Sequence, residues 1–202
     1  MATRPVLQFK ITLQDIEPAI WRRIQISDLC SFWDLHVAIQ DAMGWLDYHL
    51  HDFEMNHSIE KGKQYMGIPD DEGFDDVPHT LPGWDYRVRD YLVINERFIY
   101  KYDYGDGWVH LIEYEGERPK QADAKYPLCV AGERACPPED VGGTPGYQRF
   151  IEAITTSRHP EREELLEWVG GKYDPNKFDP KKVKFDNPTK RWKRAFERDV
   201  AI

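Results

Sequence analysis

Asp103, Asp106 and His110 lie close together around the turn Gly105-Asp106-Gly107. A carboxylate beside an imidazole raises the imidazole pKa and fixes its tautomer. That arrangement serves acid–base chemistry and also the groups that back a metal's ligands. The same residues have a purely structural reading. Asp106 is the expected first residue of an Asp-Gly turn, and Asp103–His110 a cross-strand pair worth a few tenths of a kcal/mol. A two-residue loop at Asp106-Gly107 pairs Asp103 with His110, and Tyr104 with Val109. A three-residue loop shifts the pairing by one and separates them.

A second group sits in a Pro/Gly-rich stretch, where residues 127–146 carry four prolines and four glycines. Glu139 and Asp140 follow Pro137-Pro138 and precede Gly142-Gly143, where backbone can approach a ligand closely or simply turn into a helix. Asp103, Asp106, His110 and Glu139 are the catalytic candidates; Trp108, Asp140, Gly142 and Gly143 are the binding candidates. Metal candidates are His49 and His51, two apart on an expected strand, with Cys129 and Cys136. Zinc knuckles favour two to four intervening residues, and six separate these cysteines. Packing beside Phe53 is the plainer role for the histidines. The acidic run Asp70, Asp71, Glu72, Asp75 and Asp76 reads as a solvated loop, since it lacks the EF-hand spacing of a calcium site.

Several machines are excluded. None of the four serines lies in G-x-S-x-G, and there is no Walker A loop, Rossmann fingerprint, H-E-x-x-H or C-x-x-C. His159 and Arg162 form a His-x-x-Arg pair, but at an acidic helix start. No cofactor can be named from these residues.

The elements that must position these groups follow from periodicity. Leu7 to Leu13 and Ile20 to Ile26 alternate as two strands around Asp15–Pro18. Ser31 and Asp34 form a capping box for a helix with Phe32, Leu35, Ile39 and Met43 on one face, ended by Gly44. A strand runs from His49 to Met55, with His49, His51, Phe53 and Met55 on one side. Phe98–Tyr104 and Trp108–Tyr114 make the clearest hairpin. The stretch 127–146 reads as an irregular functional loop. Thr144-Pro145 and Pro160 open two helices, and Thr189 caps a last one carrying Trp192 and Phe196. The expectation is an α+β fold. A mainly antiparallel sheet of about five strands packs against helices, with a C-terminal helical annex.

Composition bounds the rest. The chain has 202 residues and 23.8 kDa, and 41% of its residues are hydrophobic, enough for a sizeable core. Its net charge of -9 argues against a general nucleic-acid binder. No apolar run spans a membrane and no secretory h-region opens the chain. Three cysteines do not make a disulfide framework, so free thiols and a cytoplasmic location are expected. Residues 1–171 hold 17 basic and 31 acidic side chains; residues 172–202 hold 10 and 5. The division is therefore a 1–171 core and a basic 172–202 extension packed on it, with nucleic acid a possible partner only through residues 172–198. Otherwise the partner is an unidentified small molecule or protein, and no membrane.

Three blocks in order carry a resemblance. Ser31-Phe32 through Met43-Gly44-Trp45 to His49-Leu50-His51-Asp52-Phe53 is the first, and Tyr100 to His110 is the second. Tyr126-Pro127 to Cys129, then Cys136 to Gly143 and Gly146-Tyr147, is the third. Together they resemble the plasmid pRi open-reading-frame-three-like family, also labelled insertion-element passenger proteins of the TnpR type. The likeness extends to Trp168, Tyr173-Asp174-Pro175 and Phe178-Asp179-Pro180. It implies an α+β domain from genomes, plasmids and insertion elements, with no established activity. The TnpR label suggests a resolvase, but the chain has no serine-recombinase nucleophile motif. Family members often carry a further Cys where this chain has Val141.

The leading functional expectation is a binding module. Its site would form where the hairpin turn, the His49–His51 strand and the Pro137–Gly143 loop converge. The alternatives are a metal-dependent hydrolase or nuclease, and a DNA-transaction accessory protein using the tail.

Overall fold

The computed structural model describes residues 4–56, 62–69, 79–92 and 97–197. Its strands are β1 (Val6–Leu13), β2 (Ile20–Ser27), β3 (His51–Asn56), β4 (Lys63–Gly67), β5 (Thr80–Pro82), β6 (Arg97–Tyr102), β7 (Trp108–Arg118) and β8 (Leu128–Glu133). Its helices are α1 (Phe32–Met43), α2 (Gly143–Thr155), α3 (Arg162–Trp168) and α4 (Pro188–Phe196). The strands form one sheet in the order β5-β4-β3-β6-β7-β1-β2-β8. All its pairings are antiparallel except β4 with β5, which is parallel.

The α+β class stands, but the sheet has eight strands rather than about five. The additional strands are short and carry weak alternation. β5 is three residues long, and β8 crosses the stretch read as irregular because its glycines and prolines mask a six-residue strand that pairs with β2 at five positions. The acidic run at Asp70–Asp76 lies outside the described residues.

Alternation in β1 sends Leu7, Phe9, Ile11 and Leu13 into the core. The opposite face carries Gln8 and Lys10 among ion pairs such as Arg23–Glu115 at 2.7 Å and Arg97–Glu113 at 2.7 Å. The α1 helix packs on the apolar face. Its Ser31 cap accepts from the Asp34 N–H while Asp34 accepts from the Ser31 N–H. Ten of its twelve residues are buried, Trp33 and Val37 included, so a second layer must cover it.

Part of that layer is the C-terminal segment. Trp33 Nε1 donates to the Pro188 carbonyl at 3.0 Å, and Phe196 packs edge-on to Trp33. Trp192 lies against Trp84. Asn187 caps α4 with Pro188 in its first turn, two residues earlier than Thr189. Upstream, Phe178 stacks under the buried Arg22 guanidinium at 3.6 Å. Arg22 has no carboxylate partner among the described residues and donates to the Ala42, Trp21 and Glu133 carbonyls. Cys30, Cys129 and Cys136 are free thiols. No helix among the described residues is long and apolar enough to cross a membrane.

Candidate functional site

Three loops meet at one end of the sheet. The first begins where Gly44 ends α1 in the left-handed conformation, its N–H on the Gln40 carbonyl at 2.8 Å. Trp45 then turns inward, stacks on Tyr102 and donates to the Pro137 carbonyl at 2.9 Å. Of the following residues Leu46, Tyr48 and Leu50 stay at the surface while Asp47 turns inward, and His49 lies at the edge, outside β3, which starts at His51.

The second loop joins β6 to β7 and is five residues long. Neither the two-residue nor the three-residue turn expected from the sequence forms. His110 stands opposite Tyr100 and Trp108 opposite Tyr102, so no Asp103–His110 pair exists. Asp103 is the reason the loop is longer. It adopts φ 55°, and its Oδ1 accepts from the Gly105 N–H (2.9 Å) and the Asp106 N–H (3.2 Å). Aspartate competes well for such local bonds.

The third loop is the Pro/Gly segment. Glu139 acts as a latch, accepting from the Tyr102 hydroxyl with one oxygen and from the Leu46 N–H at 2.7 Å with the other. Burial, with the Glu139 carboxylate adding to it, pushes the Tyr102 hydroxyl pKa up. Asp106 Oδ2 accepts from the Gly142 N–H at 3.1 Å. Gly143, at φ 66°, brings its Cα so close to the Asp106 carbonyl that a Cβ would collide with that oxygen. Gly143→Ala is expected to cost about 2–3 kcal/mol by strain plus collision. Gly107→Ala, at φ 69° with open space around it, should cost about 1 kcal/mol from strain alone. Equal losses in thermal melts would mean the hairpin and the glycine loop do not press together.

At the centre, His49 Nε2 lies 2.8 Å from Asp140 Oδ1 and 3.6 Å from Asp103 Oδ2. Asp140, like Asp103, is left-handed, at φ 57°. The sequence candidates thus divide. His49, Asp103, Asp106, Glu139, Asp140, Gly142 and Gly143 come together. Trp108 is buried behind them, tilted against Trp45.

His51, His110, Cys129 and Cys136 do not join. His51 is 2% exposed and stacks on His36, ring centroids 3.4 Å apart. His110 is fully buried, its Nδ1 on the Tyr100 carbonyl, and burial pulls its pKa down to about 3. Burial pushes the Cys136 thiol up to about 12, and both cysteines sit near the Arg22 charge. Of the metal candidates His49, His51, Cys129 and Cys136, only His49 faces the loop convergence, where His49, Asp103 and Asp140 are the one group among the described residues spaced so that it could hold an ion. Spacing along β3 pointed to His51, and the alternation of a strand that starts two residues late misplaced His49.

Sequence reasoning missed a buried polar cluster beneath this site. His36 bonds the Tyr100 hydroxyl at 2.8 Å and Asp47 at 2.9 Å, and Gln40 donates to the same hydroxyl. Burial raises the Asp47 pKa, but His36 and Arg191 outweigh it and hold the carboxyl below its usual value. The available signal was a histidine and a glutamine at i and i+4 on an otherwise apolar helix face.

Around the loops, Leu46, Tyr48, Leu50 and Tyr104 are each more than half exposed. Asp140 also borders a cleft of about 480 Å³ lined by Arg149, Phe150, Glu161, Leu165 and Trp168. A larger groove on the outer sheet face is lined by ion-paired side chains and lies away from these loops.

Comparison with known proteins places the chain. The plasmid pRiA4b ORF-3-like protein family matches residues 5–182. The chain belongs to that family. Its matched part ends before α4, so the helix that covers α1 lies beyond the family match. Another relative is the uncharacterized protein y4hQ of Sinorhizobium fredii, 36% identical over 166 residues, which are 82% of this chain and 81% of the relative. The crystal structure of the protein of unknown function MM3350 from Methanosarcina mazei Go1 is similar at a TM-score of 0.81 and 38% identity. The match covers 91% of this chain and all of that one.

Proposed function

We propose that this member of the plasmid pRiA4b ORF-3-like family is a small-molecule binding module. Its site lies where the hairpin turn, the residue 45–50 loop and the Pro/Gly loop converge, with the neighbouring cleft receiving the ligand's apolar part. The observation that carries this reading is the cleft beside Asp140. It is within the usual size of ligand sites, and Phe150 and the half-exposed Trp168 give it an aromatic wall. Arg149 and Glu161 on its border make no ion pair among the described residues, so both are available to a polar group. The ligand that fits is a small polar organic molecule with an aromatic or apolar part. Exposed apolar side chains around the loops support a binding surface.

The geometry favours this over the hydrolase alternative. Both oxygens of Glu139 are engaged in the latch, and His110 is sealed in the core away from Asp103. The tail is likewise a poor nucleic-acid arm, since Arg191 and Arg194 pair with acidic groups of the protein itself. A mobile-element passenger role, suggested by the plasmid association, is compatible with a binding module.

Ligand-observed NMR against a library of metabolites, in buffer with a chelator, tests the reading. The expected result is hits whose signals are lost with Trp168→Ala and weakened at least tenfold with Arg149→Ala. Hits that survive both substitutions would place binding elsewhere.

A further inference from the structure

The convergence of the three loops has a chemistry separate from the aromatic cleft. One ligand atom each from His49, Asp103 and Asp140 lies within 4.8 Å of the other two. Three protein ligands around a tetrahedral divalent ion, each about 2.1 Å from it, stand roughly 3.4 Å apart. The observed 2.8 Å and 3.6 Å separations from His49 bracket that spacing. The third separation, between the two carboxylates, is no more than 4.8 Å.

The charge balance points the same way. Asp103, Asp106 and Asp140 make no ion pair with lysine or arginine among the described residues, and His49 is the basic side chain paired with Asp103 and Asp140. Asp103 is 6% exposed. Its Oδ1 is satisfied by the turn's N–H groups, while Oδ2 faces His49 with no hydrogen bond among the described residues. The side chain is largely shielded from water, and Oδ2, 3.6 Å from His49, is an acceptor open to a cation.

The ligands also come from three different loops, and two of them, Asp103 and Asp140, hold left-handed backbone. Non-glycine residues persist there when surrounding structure demands it, and such strain gathers at ligand sites. The turn bonds of Asp103, the Asp106–Gly142 bond and the Glu139 latch fix the three loops relative to one another. The donors are thereby held in place before any ion arrives.

We infer that His49, Asp103 and Asp140 form a binding site for a divalent transition-metal ion. This rests on reading the loop convergence as the ligand site. One imidazole nitrogen with two carboxylate oxygens suits zinc or manganese better than calcium, which takes six to eight oxygens. Three protein donors leave at least one coordination position for water or a polar group of the ligand. The edge of the organic ligand nearest Asp140 therefore carries the metal-seeking group, such as a carboxylate.

Isothermal titration of tag-free, full-length protein with zinc, manganese and calcium chlorides decides it. The expected result is one zinc or manganese ion per chain, bound at least tenfold tighter than calcium. His49→Ala and Asp140→Asn, both at accessible positions, should each weaken it at least tenfold while circular dichroism and melting of the metal-free protein stay unchanged. Glu113→Gln, on the outer sheet face, should bind like the parent. Asp103→Asn is a supporting variant only, because the turn depends on it. Binding undiminished by His49→Ala and Asp140→Asn, or no binding below millimolar metal, would overturn the inference. The organic-ligand screen in chelator reads the cleft without any ion, so failure of the metal titration and failure of the screen are told apart.

Discussion

Deleting residues 172–202 is expected to lower the melting temperature by at least 10 °C. Phe178, Trp192 and Phe196 pack on Arg22, Trp84 and Trp33, and partial burial of each aromatic contributes on the order of 1–2 kcal/mol. The larger contribution comes from Arg191. Its guanidinium meets Asp41 at 2.6 Å and Asp47 at 3.5 Å, and both carboxylates are largely shielded from water. Removing one partner of a buried ion pair costs about 3–5 kcal/mol because a charge is left without compensation. Asp47 in turn holds His36, so the disturbance reaches the buried cluster. At roughly 2–4 °C per kcal/mol for a chain of this size, the sum exceeds 10 °C. Arg191→Met isolates the ion-pair part and should account for about half the shift. An unchanged melting temperature, with salt-sensitive DNA binding lost, would make the segment a nucleic-acid arm.

Acid should unfold this protein well above the pH at which its carboxylates titrate. His51 and His110 are buried neutral, and burial holds both pKa values down, that of His110 to about 3 and that of His51 further lowered by His36. In the unfolded chain each takes a proton near pH 6.5. Between pH 6.5 and the folded pKa the unfolded state therefore binds more protons. Stability is full above pH 6.5 and falls by about 1.4 kcal/mol per pH unit per histidine below it. From pH 7 to pH 5 the two together remove about 4 kcal/mol. Urea unfolding at the two pH values measures this, and His110→Gln should reduce the slope by about half. Equal stability at pH 7 and pH 5 would refute the neutral buried pair.

Legibility followed the strength of each local signal. The α1 helix was readable because Ser31, Asp34 and Gly44 mark its ends chemically and its apolar face repeats. The sheet's centre was readable from the alternation in β1, β2, β6 and β7. Short edge strands were not, because three residues carry no period and a glycine-bearing strand looks like a turn. Among the site residues, proximity along the chain named Asp103, Asp106, Glu139 and Asp140, since each sits at a backbone break. Their meeting depends on Trp45, Glu139 and Gly143 tying three loops together, which no local pattern reports. Proximity misled at His110. Asp103 spends one carboxylate oxygen on its own turn, lengthens the loop and sends the imidazole into the core.

The β1 strand lies between β2 and β7, and its two neighbours form on very different length scales. With β2 it makes a local hairpin; with β7 it pairs Gln8 beside Glu115, 107 positions along the chain. During synthesis the β1–β2 hairpin must wait for β7 with Leu7, Phe9 and Ile11 on an apolar face and both edges unpaired, since β8, the neighbour of β2, comes later still. Long-range strand pairing is the slow part of folding, and an unpaired apolar edge invites strands from other chains. Closure of β1 onto β7, rather than formation of either hairpin, is therefore the step at which a nascent chain is most exposed to aggregation.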